Sequence, residues 1–540
     1  MERFVWKPNM SLATPLYKQI ETYIKERIVN GEWTVGTKLP SQRDLAHTFG
    51  VNRSTIVMAF DELVAKGYIE GNGRKGTIVV NNNENASTYA PPPNWQSYVE
   101  TGLHYPNLPA IQEINQAEFY PHVIRLGTGE LAPSLLPEKK MKDIMNKLLK
   151  SSMILGYEEP KGNFYLRKKI ADYLKGHGID VTPDSILIVS GAIQALQLIS
   201  MGLLPKGASI LLEKPSYLYS LNVFQSAGMR LIGIPMDENG LHASYITKYK
   251  KQFNASILYT IPSFHNPTNF SMNAKKRIEV MEICNEIGLP IIEDAVYQDL
   301  WFDEPVSKPL KAYDKNGIVL HIGSMSKVIS PGLRIGWIVG SEPVIQRLAD
   351  IKMQTDYGSS SISQQIAAEW FADGLYDEHL QFVRTKLKKR RNFMLQMLEK
   401  YCRDIATWYE PTGGFYIWLH MNVPVSNRSL FDKALKEKIL LNPGTLYDRS
   451  ANQFLRLSYS YATLEEIEIG IKKLAQLMKK LEEKIMKQYV ICQIINGEKY
   501  LAAYAESKQD AIEKAELLGL RTGNRYTVIT AEEAEGLTYP

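Results

Sequence analysis

Between residues 121 and 487, short apolar runs alternate with amphipathic segments, and this rhythm constrains the fold more than any other feature of the chain. The clearest runs are SILIVSG, ASILLEKP, ASILYTIPS, LPIIEDA and GIVLHIGS. Runs of this kind are apolar on both faces and separated by helical segments, which is typical of a largely parallel sheet covered by helices. We therefore expect an α/β domain here, closed by a long amphipathic helix at 463–485.

The rest of the chain lacks this alternating pattern. A chain of 540 residues is also too long for one hydrophobic core, so we expect several domains. Residues 1–80 predict three short helices followed by a β-hairpin. Residues 81–120 contain poly-Asn and Pro-Pro-Pro stretches, which predict a linker. Residues 488–540 predict a strand, a turn at Asn496-Gly497, a second strand, a helix (507–518) and a third strand. We therefore expect a small appended α+β unit with no assigned function.

Charge and cysteine content limit the partners and the compartment. The net charge is only +5, so any nucleic-acid site must be local and not a property of the whole chain. Cys284, Cys402 and Cys492 are far apart, without the spacing of a metal site or a disulfide framework. These features predict a protein of the bacterial cytoplasm with no bound metal. No apolar segment predicts export or a membrane span.

The N-terminal region has the plan of a winged helix-turn-helix. Thr14 is the expected cap of the first helix (14–30), Ser41 caps the second, and Gly50 makes a tight turn before a third helix that starts at Asn52. The expected buried stripe of the third helix is Ile56, Phe60, Leu63 and Val64. Such a third helix enters the DNA major groove. The predicted DNA contacts are Ser41, Arg43, Arg53, Ser54, Thr55 and, in the wing, Arg74 and Lys75.

The sequence LPSQRDLAHTFGVNRSTIVMAFDELVAKGYIEGNGRKGTIV resembles the GntR family of regulators over residues 12–80. The resemblance implies binding to double-stranded DNA. A three-helix protein-interaction module with ordinary surface arginines is the alternative interpretation.

The segment SMSKVISPGLRIGW (324–337) carries the chemistry of the large region. Lys327 can form an imine with an aldehyde cofactor, and Ser324, Ser326 and Arg334 can hold its phosphate. A lone lysine is usually a solvated surface charge, so the interpretation depends on the segments around it.

Four further segments supply what pyridoxal phosphate needs. Asp294, at the end of an apolar strand, can keep the pyridine nitrogen protonated, and Tyr297 and Asn266 can donate to the phenolic oxygen. The segment SGAIQAL opens a helix whose first amides can bind the phosphate, and EKPSYLY supplies an aromatic ring to stack on the cofactor. The residues concerned are Gly191, Ala192, Ile193 and Tyr217. The alternatives are that Asp294 is a helix cap and that Tyr297 is plain packing.

Together these segments resemble the fold-type I aminotransferases over residues 121–485. By that resemblance, Tyr157 reaches the phosphate of the neighbouring subunit, which implies a homodimer, and Arg456 clamps a substrate or effector carboxylate. A structural ion pair is the other interpretation of Arg456. The family usually has glycine after Asn-Pro-Thr, where this chain has Asn269; asparagine tolerates positive φ next best, so we expect the turn to be kept.

A GntR-type head, a linker and an aminotransferase-like domain in this order resemble the MocR subfamily of bacterial transcriptional regulators. The resemblance implies a transcription factor that senses pyridoxal phosphate, or an amino compound held as an aldimine at Lys327, with at most residual transaminase activity. A working aminotransferase with a DNA-binding appendage, and a DNA-bound scaffold with an inactive pocket, are the alternatives.

Overall fold

The computed structural model describes residues 6–71, 76–81, 95–102, 104–150, 155–422, 426–486, 489–495, 498–505 and 508–530. It divides the chain into two compact units, Met1–Leu103 and His104–Pro540.

The first unit contains three helices and a hairpin around one small core, followed by a short fourth helix. Its elements are α1 (Leu16–Val29), α2 (Gln42–Phe49), α3 (Arg53–Ala65), β1 (Ile69–Gly71), β2 (Thr77–Val79) and α4 (Trp95–Thr101). Strands β1 and β2 pair antiparallel, as a wing does. The Ser41 side chain accepts a hydrogen bond from the Asp44 amide at 3.2 Å, and Gly50 ends α2 with φ 68°. The expected cap and turn of the second helix are therefore confirmed.

Two local predictions for this unit were wrong. Helix α1 begins at Leu16 with Pro15 at its N-cap and no side-chain cap bond, so Thr14 does not cap it. Val64 is 47% exposed, because it lies on the flank of α3 while Ile56 and Leu63 face the core.

The larger unit contains two sheets, their covering helices and a C-terminal extension. In chain order its elements are α5 (Pro109–Ala117), β3 (Ile124–Arg125), α6 (Glu138–Leu149), α7 (Phe164–Gly176), β4 (Ile186–Val189), α8 (Ala192–Gly202), β5 (Ser209–Lys214), α9 (Val223–Ser226), β6 (Arg230–Asp237), β7 (Gly240–Leu241), α10 (Ser244–Phe253), β8 (Ala255–Thr260), α11 (Ala274–Glu286), β9 (Ile291–Asp294), β10 (Val319–Ser324), β11 (Gly336–Val339), α12 (Glu342–Thr355), α13 (Ser361–Phe371), α14 (Leu375–Cys402), β12 (Ala406–Trp408), β13 (Tyr416–Met421), α15 (Asn427–Lys436), β14 (Ile439–Leu440), β15 (Asn442–Pro443), β16 (Phe454–Ser458), α16 (Leu464–Met486), β17 (Tyr489–Ile495), β18 (Glu498–Ala505), α17 (Lys508–Thr522) and β19 (Arg525–Thr530).

The main sheet has the order β4-β11-β10-β9-β8-β5-β6-β7. Strands β10, β9, β8, β5 and β6 run parallel to one another, while β11 is antiparallel to both of its neighbours and β7 is antiparallel to β6. Every residue of β4, β9 and β10 is buried, which explains their continuous apolar runs. The expected α/β domain is confirmed. The parallel strands end at one edge, where ligands of open α/β sheets bind.

A second, antiparallel sheet has the order β12-β13-β16-β15, and it places Trp418 of β13 opposite Arg456 of β16. Strands β3 and β14 form a separate parallel pair. The C-terminal extension is a three-stranded antiparallel sheet, β18-β17-β19, packed against α17 through Ile491, Ala505 and Ala511. This is the α+β arrangement that the sequence predicts, although the expected turn at Asn496-Gly497 lies outside the described residues. Of the helices described, none is long and apolar enough for a membrane crossing.

The expected linker divides between the two units. Residues 104–120 belong to the larger unit, where α5 buries Ile114 and Ala117 against the main core. The poly-Asn and Pro-Pro-Pro runs that predict a linker lie in the first half of the stretch, whereas the second half carries an apolar helical face. Residues 82–94 lie outside the described part of the chain.

Candidate functional site

The start of α3 presents polar side chains to solvent. Arg43, Arg53 and Ser54 are exposed, Thr55 is half-buried, and the first turn of α3 contains no acidic residue. Ser41 has a structural role at this surface, since its hydroxyl also donates to the Asp44 carboxylate at 2.7 Å. The predicted wing contacts, Arg74 and Lys75, lie outside the described residues.

In the larger unit, one cavity of about 410 Å³ opens at the carboxyl edge of the main sheet. The turn before α8, the loops after β5 and β8, and the ends of β9, β10 and β16 all contribute to it. Of the residues expected at the cofactor and effector sites, it is lined by Gly191, Ala192, Ile193, Tyr217, Asn266, Asp294, Tyr297, Ser324, Ser326, Lys327, Arg334 and Arg456. Folding therefore brings together segments that are up to 265 residues apart in the chain, from Gly191 to Arg456.

One end of the cavity has the donors that a phosphate needs. Arg334 lies against the helix start, and its Nη2 donates to the Ser190 carbonyl at 2.7 Å. Gly191 has φ 92°, and a Cβ there would lie 2.9 Å from Arg334 Nη2. The buried hydroxyl of Ser326 has no hydrogen-bond partner among the described residues. A free hydroxyl, a guanidinium and a helix N-terminus fit a phosphate dianion.

Lys327 lies in the middle of the cavity. Its Nζ donates to the Gly129 carbonyl at 2.6 Å and lies 5.8 Å from the centroid of the Tyr297 ring. The amine makes one hydrogen bond, to the Gly129 carbonyl oxygen, and no carboxylate in the described structure lies within ion-pair distance of it. The amine can therefore leave this hydrogen bond and react with the carbon of an aldehyde.

Asp294 closes the floor of the cavity. It is 4% exposed, and it accepts hydrogen bonds from the Tyr259 hydroxyl at 2.8 Å and the Val296 amide at 3.4 Å. Burial raises the pKa of this carboxyl above its ordinary value. A buried carboxylate of this kind is stabilised by a cationic partner, and a protonated pyridine nitrogen is such a partner.

Two tyrosines face each other beside Lys327. The Tyr297 and Tyr416 hydroxyls are 3.0 Å apart, and burial raises the pKa of Tyr297 well above its ordinary value. Tyr297 therefore stays protonated and can donate to an acceptor in the cavity.

Arg456 is buried between two aromatic rings. The centre of its guanidinium lies 4.2 Å from the Tyr416 centroid and 4.9 Å from that of Tyr447. Its Nη1 donates to Asn266 Oδ1 at 2.9 Å, and its Nη2 donates to the Gly127 carbonyl at 2.7 Å. The contact occupies the oxygen of Asn266, which orients the amide nitrogen of that residue as a donor. The buried Nε of Arg456 has no partner among the described residues.

Tyr157 is the one predicted cofactor residue outside this cavity. It is 80% exposed and makes an edge contact with the Tyr357 ring at 4.7 Å. The resemblance assigns it to a neighbouring subunit's site, for which an exposed position is required.

The cavity also contains residues that the sequence reasoning did not single out. They are Gly127, Gly129, Glu118, Glu130, Tyr416 and Tyr447, together with Ile111 and Ile114 of α5. The clustered glycines of LGTGE (126–130), and the GGFY motif that ends at Tyr416, were available signals. No local sequence signal predicts that α5 lines the cavity, because its position there depends on the tertiary fold of the larger unit.

Glu118 and Glu130 form an acidic pair at this cavity. Thr128 donates to Glu118 at 2.9 Å, and Arg125 lies 3.7 Å from Glu130. Burial, and then the charge of Glu118, raise the pKa of Glu130 above its ordinary value, against the opposing effect of Arg125 and Lys327. The pair adds two carboxyl groups to the lining of the cavity.

Comparison with protein families identifies each part of the chain. Residues 16–79 match the family of bacterial regulatory proteins, gntR family, and residues 121–474 match aminotransferase class I and II. Residues 486–537 match a family described as a protein of unknown function, DUF3933.

Individual proteins match over most of the chain. The HTH-type transcriptional regulator YisV of Bacillus subtilis is 53% identical over 88% of this chain and 98% of its own. The regulator NorG of Staphylococcus aureus is 35% identical over 82% of this chain and 100% of its own. The α-aminoadipate aminotransferase LysN of Thermus thermophilus, complexed with N-(5'-phosphopyridoxyl)-L-leucine, is 27% identical, with a TM-score of 0.66 over 72% of this chain and 99% of its own. The chain belongs to the MocR subfamily of GntR transcriptional regulators, in which a helix-turn-helix is joined to an aminotransferase-like domain.

Proposed function

We propose that this regulator senses pyridoxal phosphate, or an amino compound captured on it, through Lys327, and that this binding changes how its N-terminal unit engages promoter DNA. Pyridoxal phosphate is the cofactor that its aminotransferase class I and II domain indicates. The observation that carries the proposal is the cavity in which Lys327 lies with a phosphate end, an acidic floor and a buried arginine.

The residues of the cavity fit the cofactor group by group. When bound, pyridoxal phosphate supplies an aldehyde that captures amines and a pyridine ring that withdraws electrons. Lys327 offers the amine for the aldehyde carbon, and Asp294 holds a proton on the ring nitrogen. Tyr297 and the amide of Asn266 donate to the phenolic oxygen.

The phosphate would be held at the other end of the cavity, which is lined by Gly191, Ala192 and Ile193 at the start of α8 and by Ser324, Ser326 and Arg334. The amides at the helix start and these side chains would bind it. Tyr217 supplies the ring that stacks on the pyridine.

The same cavity can bind an amino acid as effector. LysN carries a phosphopyridoxyl-leucine, which joins an amino acid to the cofactor. In this chain, Arg456 is the carboxylate clamp, since its planar fork already holds two oxygens, those of Asn266 and Gly127, that a carboxylate can replace.

A homodimer completes the proposal. Tyr157 is 80% exposed, and nearby Leu149 and Leu155 are 71% and 76% exposed. Exposed apolar residues in one region mark an interaction surface. A second copy covering this surface would bring Tyr157 to the partner's phosphate, and sedimentation at micromolar concentration tests for the dimer. Cys284, Cys402 and Cys492 are buried and form no disulfide among the described residues, which supports the proposed cytoplasmic location.

Promoter binding with and without cofactor tests the proposed function. We expect the affinity or the footprint of the full chain on its operator to change when pyridoxal phosphate is added, and Lys327→Ala to abolish the change. Lys275→Ala is the matched control, because Lys275 is an exposed lysine of α11 away from the cavity. If the wild type and Lys327→Ala respond identically to the cofactor, sensing through Lys327 is wrong.

A working aminotransferase is the second candidate, because every residue expected at the cofactor and substrate sites except Tyr157 lines one cavity. It predicts sustained turnover of an amino acid and a keto acid at about 1–10³ s⁻¹. A single slow half-reaction without multiple turnovers would favour sensing. An inactive scaffold predicts no absorbance from bound cofactor and no effect of Lys327→Ala.

A further inference from the structure

One face of α3 points away from the core of the first unit. Ile56 and Leu63 are fully buried and Phe60 is 3% exposed, which fixes the inward side of the helix. At 100° per residue, the opposite side carries Ser54 and Met58, one turn apart. Met58 is 50% exposed, so a large apolar side chain lies on the outer face of the helix that enters the major groove.

Charge limits which part of this helix can approach DNA. The first turn has no acidic residue and contains Arg53, and the helix N-terminus itself favours phosphate. The third turn carries the exposed carboxylate of Asp61, which a phosphate backbone repels. The neighbouring carboxylate of Glu62 is ion-paired with Lys18 at 3.5 Å. Base contacts are therefore confined to the first two turns, and Met58 is the last outward-facing residue before the acidic part.

We infer that Met58 reads the 5-methyl group of a thymine in the major groove. A thioether chain offers no hydrogen-bond donor and only a weak acceptor, so it cannot read the polar edges of the bases. Thymine is the one base that presents a methyl group there, and apolar side chains contact it. The flexible methionine side chain can adjust to the depth of the groove.

A methyl-deletion scan of the DNA tests this inference. The operator is first selected from random duplexes with the full-length chain, and each thymine is then replaced in turn by deoxyuridine, which lacks only the methyl group. For the wild type, we expect the deoxyuridine substitution to weaken operator binding about fourfold at one position in each half-site. This loss corresponds to ~0.8 kcal/mol for one apolar carbon. For Met58→Ala, we expect the same substitution to have no effect.

Two variants serve as controls. Val64→Ala removes an exposed apolar side chain from the same helix beyond the acidic turn, so it should keep the wild-type deoxyuridine profile. Met58→Leu keeps an apolar contact, and we expect it to keep most of the sensitivity. Circular dichroism confirms that each variant is folded.

The inference is overturned if the wild-type scan is flat, or if Met58→Ala keeps the wild-type profile. Either result leaves cofactor sensing untouched, because the scan measures only how the first unit reads DNA.

Discussion

Gly191 lies where any side chain would meet the guanidinium of Arg334, the residue proposed to bind the phosphate. A Cβ at this position would be 2.9 Å from Nη2 and 3.4 Å from Cζ of Arg334, and φ is 92°. We predict that Gly191→Ala lowers the affinity for pyridoxal phosphate at least tenfold, on the order of 1.4 kcal/mol, since the guanidinium must move away from the helix start. Titration of the cofactor, followed by its absorbance, measures the change.

Gly207→Ala separates this effect from backbone strain. Gly207 has φ 84°, but its Cβ would meet nothing within 4 Å. Both alanine variants should lose stability through the left-handed backbone. Equal cofactor affinity in the two variants would contradict the role given to Arg334.

Glu213 is a buried acid that should make stability depend on pH. One of its oxygens accepts from Thr260 and from the Ile261 amide, and the other lies 3.9 Å from His265 Nε2 without a hydrogen bond. Burial raises the pKa of Glu213 to about 7 and lowers that of His265 to about 3. The native state therefore holds the Glu213 proton more tightly than the unfolded state does.

Linkage between proton binding and folding determines the direction in which stability changes with pH. A raised native pKa makes the free energy of unfolding fall as the pH rises from about 4.5 to about 7. Glu213→Gln does not titrate, so the stability of this variant relative to wild type should increase over that window, by on the order of 3 kcal/mol. Urea unfolding at pH 5, 6, 7 and 8 measures this relative stability, and a constant difference would show that the acid is not perturbed.

Several site residues were predictable because their roles are local. Lys327, Ser326 and Arg334 lie in one segment, and Asp294 ends an apolar strand, so sequence alone predicts their presence in one cavity. The contacts of Arg456 were not predictable. Its contact with Tyr416 depends on the register between β13 and β16, and its contact with Asn266 depends on how the loop after β8 packs against β16. The pKa shifts of Glu213 and His265 were not predictable from the sequence, because they result from the burial of these two side chains and not from their residue types.

At the scale of elements, the loop after β8 shows how one departure from the family pattern is accommodated. Asn269 has φ 64°, which confirms that the turn is kept without glycine. Its side chain also donates to the carbonyls of Gly413 and Tyr416, at 2.9 Å and 2.6 Å. Asn269 therefore joins this loop to the start of β13, next to the cavity.

We predict that Asn269→Gly, which restores the usual family residue, destabilises the larger unit. The Tyr416 carbonyl would lose a buried donor, at a cost of about 1–2 kcal/mol. Asn269→Ala should cost about 1 kcal/mol more, because alanine also resists positive φ. Thermal unfolding ranks the variants as wild type, glycine and alanine in decreasing stability. A glycine variant as stable as wild type would mean that the two hydrogen bonds contribute nothing.

Element types were largely predictable from periodicity, while membership of a unit was not. The apolar strands and the long C-terminal helix of the α/β domain follow directly from the pattern, and α16 begins at Leu464, within a residue of the expected start. Helix α5 was assigned to a linker because proline and asparagine precede it. Only the folded chain shows that Ile111 and Ile114 form a wall of the cavity.

At the scale of the whole molecule, the chain joins a DNA-reading unit to a ligand-binding unit. A ligand changes DNA binding only if it binds the DNA-bound and free forms with different affinity. The wall that α5 contributes lies just after the boundary between the units at residues 103 and 104. In the proposed function, the cofactor and effector would therefore bind in a cavity lined by residues that follow this boundary closely in the chain.

Reciprocity between operator and cofactor is the most direct test of this account. The measurement is the dissociation constant of pyridoxal phosphate for the full-length protein, with and without saturating operator DNA, alongside that of the operator with and without the cofactor. Coupled sites must change each other's affinity by the same factor, typically about 5- to 150-fold. For the wild type, we predict that the operator changes the affinity for the cofactor by the same factor as the cofactor changes the affinity for the operator. For Lys327→Ala, we predict that neither affinity changes. Cofactor binding to the wild type that is unchanged by saturating operator would contradict the account.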